Sequence, residues 1–192
     1  MQNILFDYIS KYMPLTDEEK KVITDLDLFR PVKKGTILLK EGQLSQEGYF
    51  VLKGCIRKFY IIDGEEKTTN FYTELQGVVP DCVSTNKPSA FYLTCMEDSI
   101  ISVSTPDLEE DVFAKFPRFE TMCRVVSEEL LAKSYASMDD FKNSSPAKRY
   151  ENLLATRPDL VQRVPQHQIA SFLGITPQSL SRLKARLAKK TR

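Results

Sequence analysis

Side chains able to recognise nucleic acid recur at helical spacing near the end of the chain. The set consists of Gln178, Ser179, Ser181, Arg182, Lys184, Arg186 and Lys189. Gln pairs with adenine and Arg with guanine through two hydrogen bonds each, so Gln178 and Arg182 are predicted to read bases. The flanking Ser179, Lys184 and Arg186 are better suited to phosphate oxygens.

The elements that must position these residues are predicted to be two short helices joined by a tight turn. Gly174 follows the first predicted helix, 166–173, and suits the left-handed residue just beyond a helix end. Thr176 can cap the second helix, with Pro177 at its first position. The core stripe of that helix is predicted to be Leu180, Leu183 and Leu187. This pattern indicates a helix-turn-helix, whose second helix lies in the major groove of DNA.

The alternative for this segment is an amphipathic helix pair without a nucleic-acid role. The uneven distribution of charge along the sequence disfavours this alternative, although the formal net charge of the 192 residues is only +1. From Lys142 onwards, 11 Lys and Arg residues face two acids, a net of +9, whereas the preceding residues hold 16 basic and 24 acidic residues, a net of −8. A basic block of this kind is typical of a polyanion-binding module. A solvated basic tail is the other possibility, and regular apolar spacing disfavours it.

Other chemistries have little support in the sequence. Cys55, Cys82, Cys95 and Cys123 are widely separated, whereas zinc and iron–sulfur sites need clustered thiolates. His167 is the one histidine, which argues against a catalytic triad or a histidine-based metal site. Without an acid–base constellation or a phosphate loop, the chain is not expected to be an enzyme, and no cofactor is evident.

The chain is expected to be cytoplasmic and to hold one or two domains. Its apolar content of 42% and charged content of 28% are ordinary for a globular protein. No apolar run approaches the roughly 20 residues that cross a bilayer. The first ten residues also lack the basic and apolar regions of a signal peptide.

Short β-rich runs punctuated by glycine predict an antiparallel sandwich or barrel over about 29–104. Asp63-Gly64 is predicted to be a hairpin turn, because both positions tolerate positive φ. Before this region, Thr16 and Glu19 have the spacing of a capping box at the start of a helix. After it, Thr105 is predicted to cap another helix, which ends before Pro117.

A longer helix is predicted from about 118 to 141. Its apolar residues are Phe119, Met122, Cys123, Val125, Val126, Leu130 and Leu131. A helix that is apolar on more than one side needs two partners. One is expected to be its own barrel and the other a second copy, since paired helix-turn-helix modules suit palindromic sites. Burial within its own domain alone is the alternative. The segment 143–146, Asn-Ser-Ser-Pro, is predicted to be a hinge.

This order of modules resembles bacterial transcription factors of the cyclic-AMP receptor protein and fumarate–nitrate regulator (Crp/Fnr) superfamily. The matching segments are 34–42, 49–57 and 169–182, and the resemblance covers nearly the whole chain. It implies an α+β fold with an N-terminal double-stranded β-helix (jelly roll) of the cyclic-nucleotide-binding type, a long dimerisation helix and a C-terminal helix-turn-helix domain. It also implies double-stranded DNA and a second copy of the chain as partners, with RNA polymerase as a further candidate.

The recognition helix departs from the family pattern. Family members read bases with an Arg-Glu pair near the start of this helix and an Arg four residues after that Glu. Pro177 and Gln178 stand in place of the pair, and Arg182 matches the last residue. A different DNA sequence should therefore be read. Because the sequence ends at Arg192, the wing that normally follows is expected to be reduced or absent.

The effector pocket departs more strongly. Relatives that bind cyclic nucleotides use a Gly-Glu step and, about ten residues later, an Arg that pairs with the phosphate. Val78-Val79 lies near the first place, and Ser89 stands at the second. Cyclic AMP is therefore not expected to bind, because the phosphate would lose its main charged partner. An unknown small-molecule effector, or none, is expected at a pocket formed by Phe71, Tyr72, Asp81, Ser89 and Ala90.

The sequence thus predicts a homodimeric, DNA-binding transcriptional regulator with a degenerate effector pocket. Its predicted divisions are a sensor domain (1–117), a dimerisation helix (118–142) and a helix-turn-helix domain (143–192). The alternative is a ligand-binding or protein-interaction module that no longer binds DNA.

Overall fold

A computed structural model describes residues 2–190 of the chain. The helices are α1 (Gln2–Ile9), α2 (Asp17–Asp25), α3 (Asp81–Thr85), α4 (Pro106–Lys115), α5 (Pro117–Asn143), α6 (Pro146–Thr156), α7 (Pro158–Arg163), α8 (Gln166–Phe172) and α9 (Pro177–Lys190). The strands are β1 (Phe29–Val32), β2 (Ile37–Leu39), β3 (Gly48–Lys53), β4 (Ile56–Ile62), β5 (Glu65–Tyr72), β6 (Gly77–Val78), β7 (Tyr92–Cys95) and β8 (Ser99–Ser104).

The strands form two four-stranded sheets within the part of the chain that the structure describes, in the orders β1-β8-β3-β6 and β2-β7-β4-β5. The pairs β1–β8, β2–β7, β3–β6 and β3–β8 are antiparallel. Fully buried side chains such as Leu39, Val51, Leu93 and Ile101 form the core of these sheets. The predicted α+β architecture with an antiparallel β-rich module is therefore confirmed.

The chain divides into two compact units. The first holds the residues up to Lys58 together with Phe71–Glu128, and the second holds Phe59–Asn70 together with the residues from Glu129 onwards. The division of the chain into sensor domain, dimerisation helix and helix-turn-helix domain stays a prediction.

Local signals in the sequence position the elements around the sheets. The capping box before α2 is present, with Glu19 N–H donating to Thr16 Oγ1 at 3.3 Å and Thr16 N–H donating to Glu19 Oε2 at 2.7 Å. Asp63 and Gly64 have φ values of 54° and 77°, as the predicted hairpin turn requires. Thr105 caps α4 through the Leu108 N–H at 3.4 Å. The sequence did not delimit α1, α3, α7, β1, β5 or β6.

An ion pair with a buried carboxylate fixes the start of the long helix α5 within the first unit. Arg118 Nε lies 2.9 Å from Glu19 Oε1, and the Glu19 side chain is only 3% exposed. The same guanidinium donates to the Pro14 carbonyl. Phe119 packs beside this pair with Ile9 and Ile23. Beyond this anchor, α5 becomes exposed: Leu131 is 53% and Tyr135 57% accessible.

The helices of the second unit also bury apolar side chains. Buried residues of this unit include Leu153, Leu160, Ile169, Leu180 and Leu183. These four leucines and one isoleucine come from α6, α7, α8 and α9, which are the predicted helix-turn-helix and the two helices that precede it. No helix among residues 2–190 is long and apolar enough to cross a membrane.

Candidate nucleic-acid interface

The turn between α8 and α9 has the backbone geometry of the predicted helix-turn-helix. Gly174 has φ 70°, the left-handed conformation that ends a helix. The Ile175 N–H donates to the Ala170 carbonyl at 3.0 Å, which closes the last turn of α8. Thr176 Oγ1 accepts the Ser179 N–H at 3.2 Å, so Thr176 caps α9 as the sequence predicts.

The residues predicted to contact DNA are all exposed on α9. They are Gln178, Ser179, Ser181, Arg182, Lys184, Arg186 and Lys189. Leu180 and Leu183 are buried and Leu187 is half-buried, which confirms the predicted core stripe. With about 3.6 residues per turn, Gln178 and Arg182 lie one turn apart on the side opposite this stripe. Their side chains can therefore face a ligand together while α9 remains packed on its core.

Two of the flanking residues, Lys184 and Ser179, are hydrogen-bonded to neighbouring side chains. Lys184 Nζ donates to Gln166 Oε1 at 2.9 Å, which links α9 to the first residue of α8. The Thr176 hydroxyl donates to Ser179 Oγ at 3.0 Å. A phosphate oxygen approaching Lys184 or Ser179 would therefore meet groups that are already oriented, and would share or replace these bonds.

Arg149 connects the helix-turn-helix to the end of α5. Its Nη1 donates to the Leu173 carbonyl at 2.7 Å and its Nε to the Ser144 carbonyl at 3.0 Å. The guanidinium carbon lies 3.8 Å from the centre of the Phe141 ring. A Cβ on Gly174 would lie 3.3 Å from both Arg149 Nη1 and Phe141 Cζ. A side chain at position 174 would therefore be strained by the backbone angle and would also press on these two side chains.

The predicted hinge at 143–146 is bordered by further hydrogen bonds. Ser144 Oγ donates to Asp140 Oδ1 at 2.9 Å, and Asn152 Nδ2 donates to Asp140 Oδ2 at 3.1 Å. Ser145 caps α6 by accepting the Lys148 N–H at 3.3 Å. These bonds order the connection between α5 and α6, so any movement here has to break specific polar contacts.

The candidate effector-pocket residues differ in their surroundings. Phe71 and Ser89 are buried, Tyr72 is half-buried, and Asp81 and Ala90 are exposed. The Ser89 hydroxyl donates to the Phe91 carbonyl at 2.9 Å and accepts the Phe91 N–H at 3.2 Å. Ser89 thus serves the local backbone at the place where the family resemblance leads one to expect an Arg.

Lys58 is a charged residue near this region that the sequence reasoning missed. Its Nζ lies 3.8 Å from the centre of the Phe91 ring. Burial lowers the pKa of Lys58 from its usual range, and the charge of Asp81 opposes that shift. The strand pattern of β4 could have indicated this burial. Side chains in a strand alternate between its two faces, so Lys58 lies on the same face as the buried Ile56.

The four cysteines and the one histidine lie in different surroundings. Cys55, Cys82 and Cys95 are buried and reduced, Cys123 is partly buried, and burial raises the pKa of the Cys95 and Cys123 thiols. His167 is exposed on α8. Residues 2–190 contain no cluster of His, Cys, Asp and Glu side chains that could hold a metal ion.

Known proteins that resemble this chain include regulatory proteins. HlyX, a regulatory protein of Actinobacillus pleuropneumoniae, is 27% identical over 197 residues, which cover 92% of this chain and 80% of HlyX. The fumarate nitrate reduction regulatory protein of Klebsiella oxytoca is 25% identical over 176 residues, which cover 83% of this chain and 68% of that protein. The resemblance to the Crp/Fnr superfamily is confirmed.

The fold of this Crp/Fnr-like chain also matches solved structures. FixK2 from Bradyrhizobium japonicum superposes with a TM-score of 0.68 over 85% of each chain, at 14% sequence identity. At that identity the match shows the fold alone. No protein-family model matches the chain.

Replacing Gly174 by Ala tests the turn. We expect a loss of about 1–2 kcal/mol in the free energy of unfolding from the left-handed backbone alone, and a further loss because the new Cβ presses on Arg149 and Phe141. Chemical denaturation of both variants measures this, with Gly64→Ala as the matched control. Gly64 has φ 77° but open space around its Cβ position. An equal loss in the two variants would contradict the proposed crowding at Gly174.

Proposed function

We propose that this chain is a DNA-binding transcriptional regulator of the Crp/Fnr type. The observation that carries the proposal is the capped helix α9, which exposes Gln178 and Arg182 on the side opposite its buried leucines. Amide and guanidinium groups one turn apart match the hydrogen-bonding edges of adenine and guanine in the major groove. The relatives named above are regulators rather than enzymes, which agrees with this assignment.

Charge supplies the affinity that base contacts alone would not. The residues from Lys142 onwards carry a net charge of +9, and the exposed Lys184, Arg186 and Lys189 lie on α9 itself. Neutralising phosphates releases counterions from DNA, so affinity is expected to fall steeply with salt. We assign base reading to Gln178 and Arg182, with Ser181 beside them, and assign phosphate contacts to the flanking residues.

A second copy of the chain is the proposed partner of α5. Leu131, Tyr135 and Met138 are spaced by four and three residues, which places them on one side of the helix, and each is at least 46% exposed within a single chain. A two-fold pair of chains would cover this stripe and present two copies of α9 to the half-sites of a palindromic operator. A change at the α5–α6 connection would then alter the spacing of the two recognition helices. RNA polymerase stays a further proposed partner.

The sensor is proposed to respond to something other than cyclic AMP. Ser89 holds the position where an Arg is expected from the family resemblance, and its hydroxyl is occupied by the Phe91 backbone. A neutral, internally bonded hydroxyl cannot replace a guanidinium opposite a phosphate. Of the candidate pocket residues, Phe71 and Tyr72 would supply apolar surface and Asp81 a charge.

The second candidate function is a protein-interaction module that no longer binds DNA. The bonds that Lys184 and Ser179 make with other side chains favour it in part, because they occupy predicted phosphate contacts. Failure to bind genomic DNA fragments at low salt would support this alternative.

Replacing Arg182 by Ala separates base reading from phosphate contact. We expect specific binding to weaken by about 1–3 kcal/mol and sequence choice to relax at one base pair in each half-site, with random DNA little affected. Arg186→Ala is the matched control, because it removes the same side chain from the flank. It should weaken binding to specific and random DNA alike and reduce the salt dependence. Equal losses on both DNAs for Arg182→Ala would contradict its assigned role.

Replacing Leu131 by Asp tests the dimer. A carboxylate within an apolar helix pair would be desolvated without a partner, so we expect a dimer to become a monomer at micromolar concentration. Light scattering after size-exclusion chromatography measures the mass. Ala136→Asp is the control, since it adds the same charge to an exposed position on a different side of α5. Dissociation by both variants, or by neither, would exclude the Leu131 stripe as the interface.

A further inference from the structure

The first helix of the helix-turn-helix is hydrogen-bonded to the backbone of a distant strand. Ser171 Oγ on α8 accepts the Thr68 N–H at 2.9 Å and donates to the Glu66 carbonyl at 3.2 Å. The bonded residues are 103 and 105 positions apart in the sequence. Both sides of the contact belong to the second compact unit, which contains Phe59–Asn70 as well as α8.

The chemistry of this contact follows from the position of β5. This strand is the last in the order β2-β7-β4-β5, so one of its two sides is an edge. Residues two apart in a strand direct their backbone groups to the same side, as Glu66 and Thr68 do here. Such edge groups need partners, and a serine hydroxyl can accept one hydrogen bond while donating another. Ser171 thus takes the place that a neighbouring strand would otherwise fill.

The burial of the strand agrees with a specific contact. Thr68 is only 4% exposed, although Lys67 and Thr69 on either side of it are exposed. Ser171 itself is half-buried, and its two hydrogen bonds fix both its distance from the strand backbone and its direction, so the pair of bonds orients α8 on β5. We refer to the bonds from Ser171 to Glu66 and Thr68 as the Ser171 clasp.

The clasp leaves the DNA-reading side of α9 open. With both bonds formed, Gln178, Ser181 and Arg182 are exposed. A contact that masked the reading face would bury these residues. The clasp is therefore compatible with DNA binding. Because it already holds α8 in one orientation, less conformational entropy is lost when the chain binds DNA.

We propose that Ser171 is a positioning residue for DNA binding, whose clasp on the edge of β5 holds the helix-turn-helix ready to engage DNA. This inference rests on the proposed DNA-binding function. The strand segment that Ser171 contacts is also continuous in sequence with the first unit, because the hairpin 59–70 is preceded by Lys58 and followed by Phe71. A change in the strands that shifts this hairpin would shift or break the clasp.

The experiment compares Ser171→Ala with the unsubstituted 192-residue chain. Alanine is the best helix former, so α8 is expected to remain helical. The two lost hydrogen bonds are expected to weaken binding to a selected DNA site by about three- to tenfold. Hydrogen exchange of the Thr68 amide is expected to become faster in the same variant, and affinity for random DNA should change by less than about twofold because phosphate contacts are untouched.

The matched control is Thr156→Ala, which removes an exposed hydroxyl whose bond goes to Asn152 in its own helix. It should leave both the affinity and the exchange of the Thr68 amide unchanged. Unchanged specific affinity in Ser171→Ala, tighter binding, or an equal loss on random DNA would overturn the inference. If the unsubstituted chain binds no specific DNA site, the proposed function is wrong as well. If it binds a specific site and Ser171→Ala leaves that affinity unchanged, only the proposed role of the clasp is wrong.

Discussion

The geometry of the candidate interface depends on the contacts of one side chain, Arg149. A guanidinium is planar and carries five donors, so one side chain can serve carbonyls from two segments at once. Here those carbonyls belong to Ser144, just beyond α5, and to Leu173, at the end of α8. Both helix ends carry partial negative charge, which a cation stabilises. The face of the Phe141 ring lies against the same guanidinium and attracts its positive charge.

The rest of the interface follows from this arrangement. With the end of α8 fixed, the chain must turn at once, and Gly174 provides the left-handed angle and the free space beside Arg149. The turn delivers Thr176 to cap α9. The leucines then bury one side of α9, which leaves Gln178 and Arg182 facing outwards. Ser171 adds a second attachment on α8, so the helix is held both at its end and along its side.

The sequence predicted the parts of this fold that depend on local patterns. Caps at Thr16, Thr105 and Thr176 depend on residues three positions away, and the left-handed Gly174 is set by its own backbone. The leucine stripe on α9 was predictable for the same reason. Short strands such as β1 and β6 were missed because their pairing partners β8 and β3 lie far away in the sequence.

The contacts that organise the site were also beyond local reasoning. The sequence did not distinguish Arg149 from the other basic residues, because its contacts with Phe141 and Leu173 form only in the folded chain. Ser171 gave no signal, because its partners are backbone groups more than 100 positions away. The half-buried Lys58 needed the register of β4 against Phe91. Chemistry carried by side-chain type was predictable, whereas chemistry created by long-range contacts was not.

Selection of DNA by the 192-residue chain tests most directly whether it is a DNA-binding regulator. A random duplex library would be bound at near-physiological salt, washed, and sequenced over several rounds. We expect enrichment of an inverted repeat whose half-sites are centred about one helical turn, or a multiple of it, apart. Recovery of no shared motif, with binding absent even at low salt, would contradict the assignment of this chain as a DNA-binding regulator.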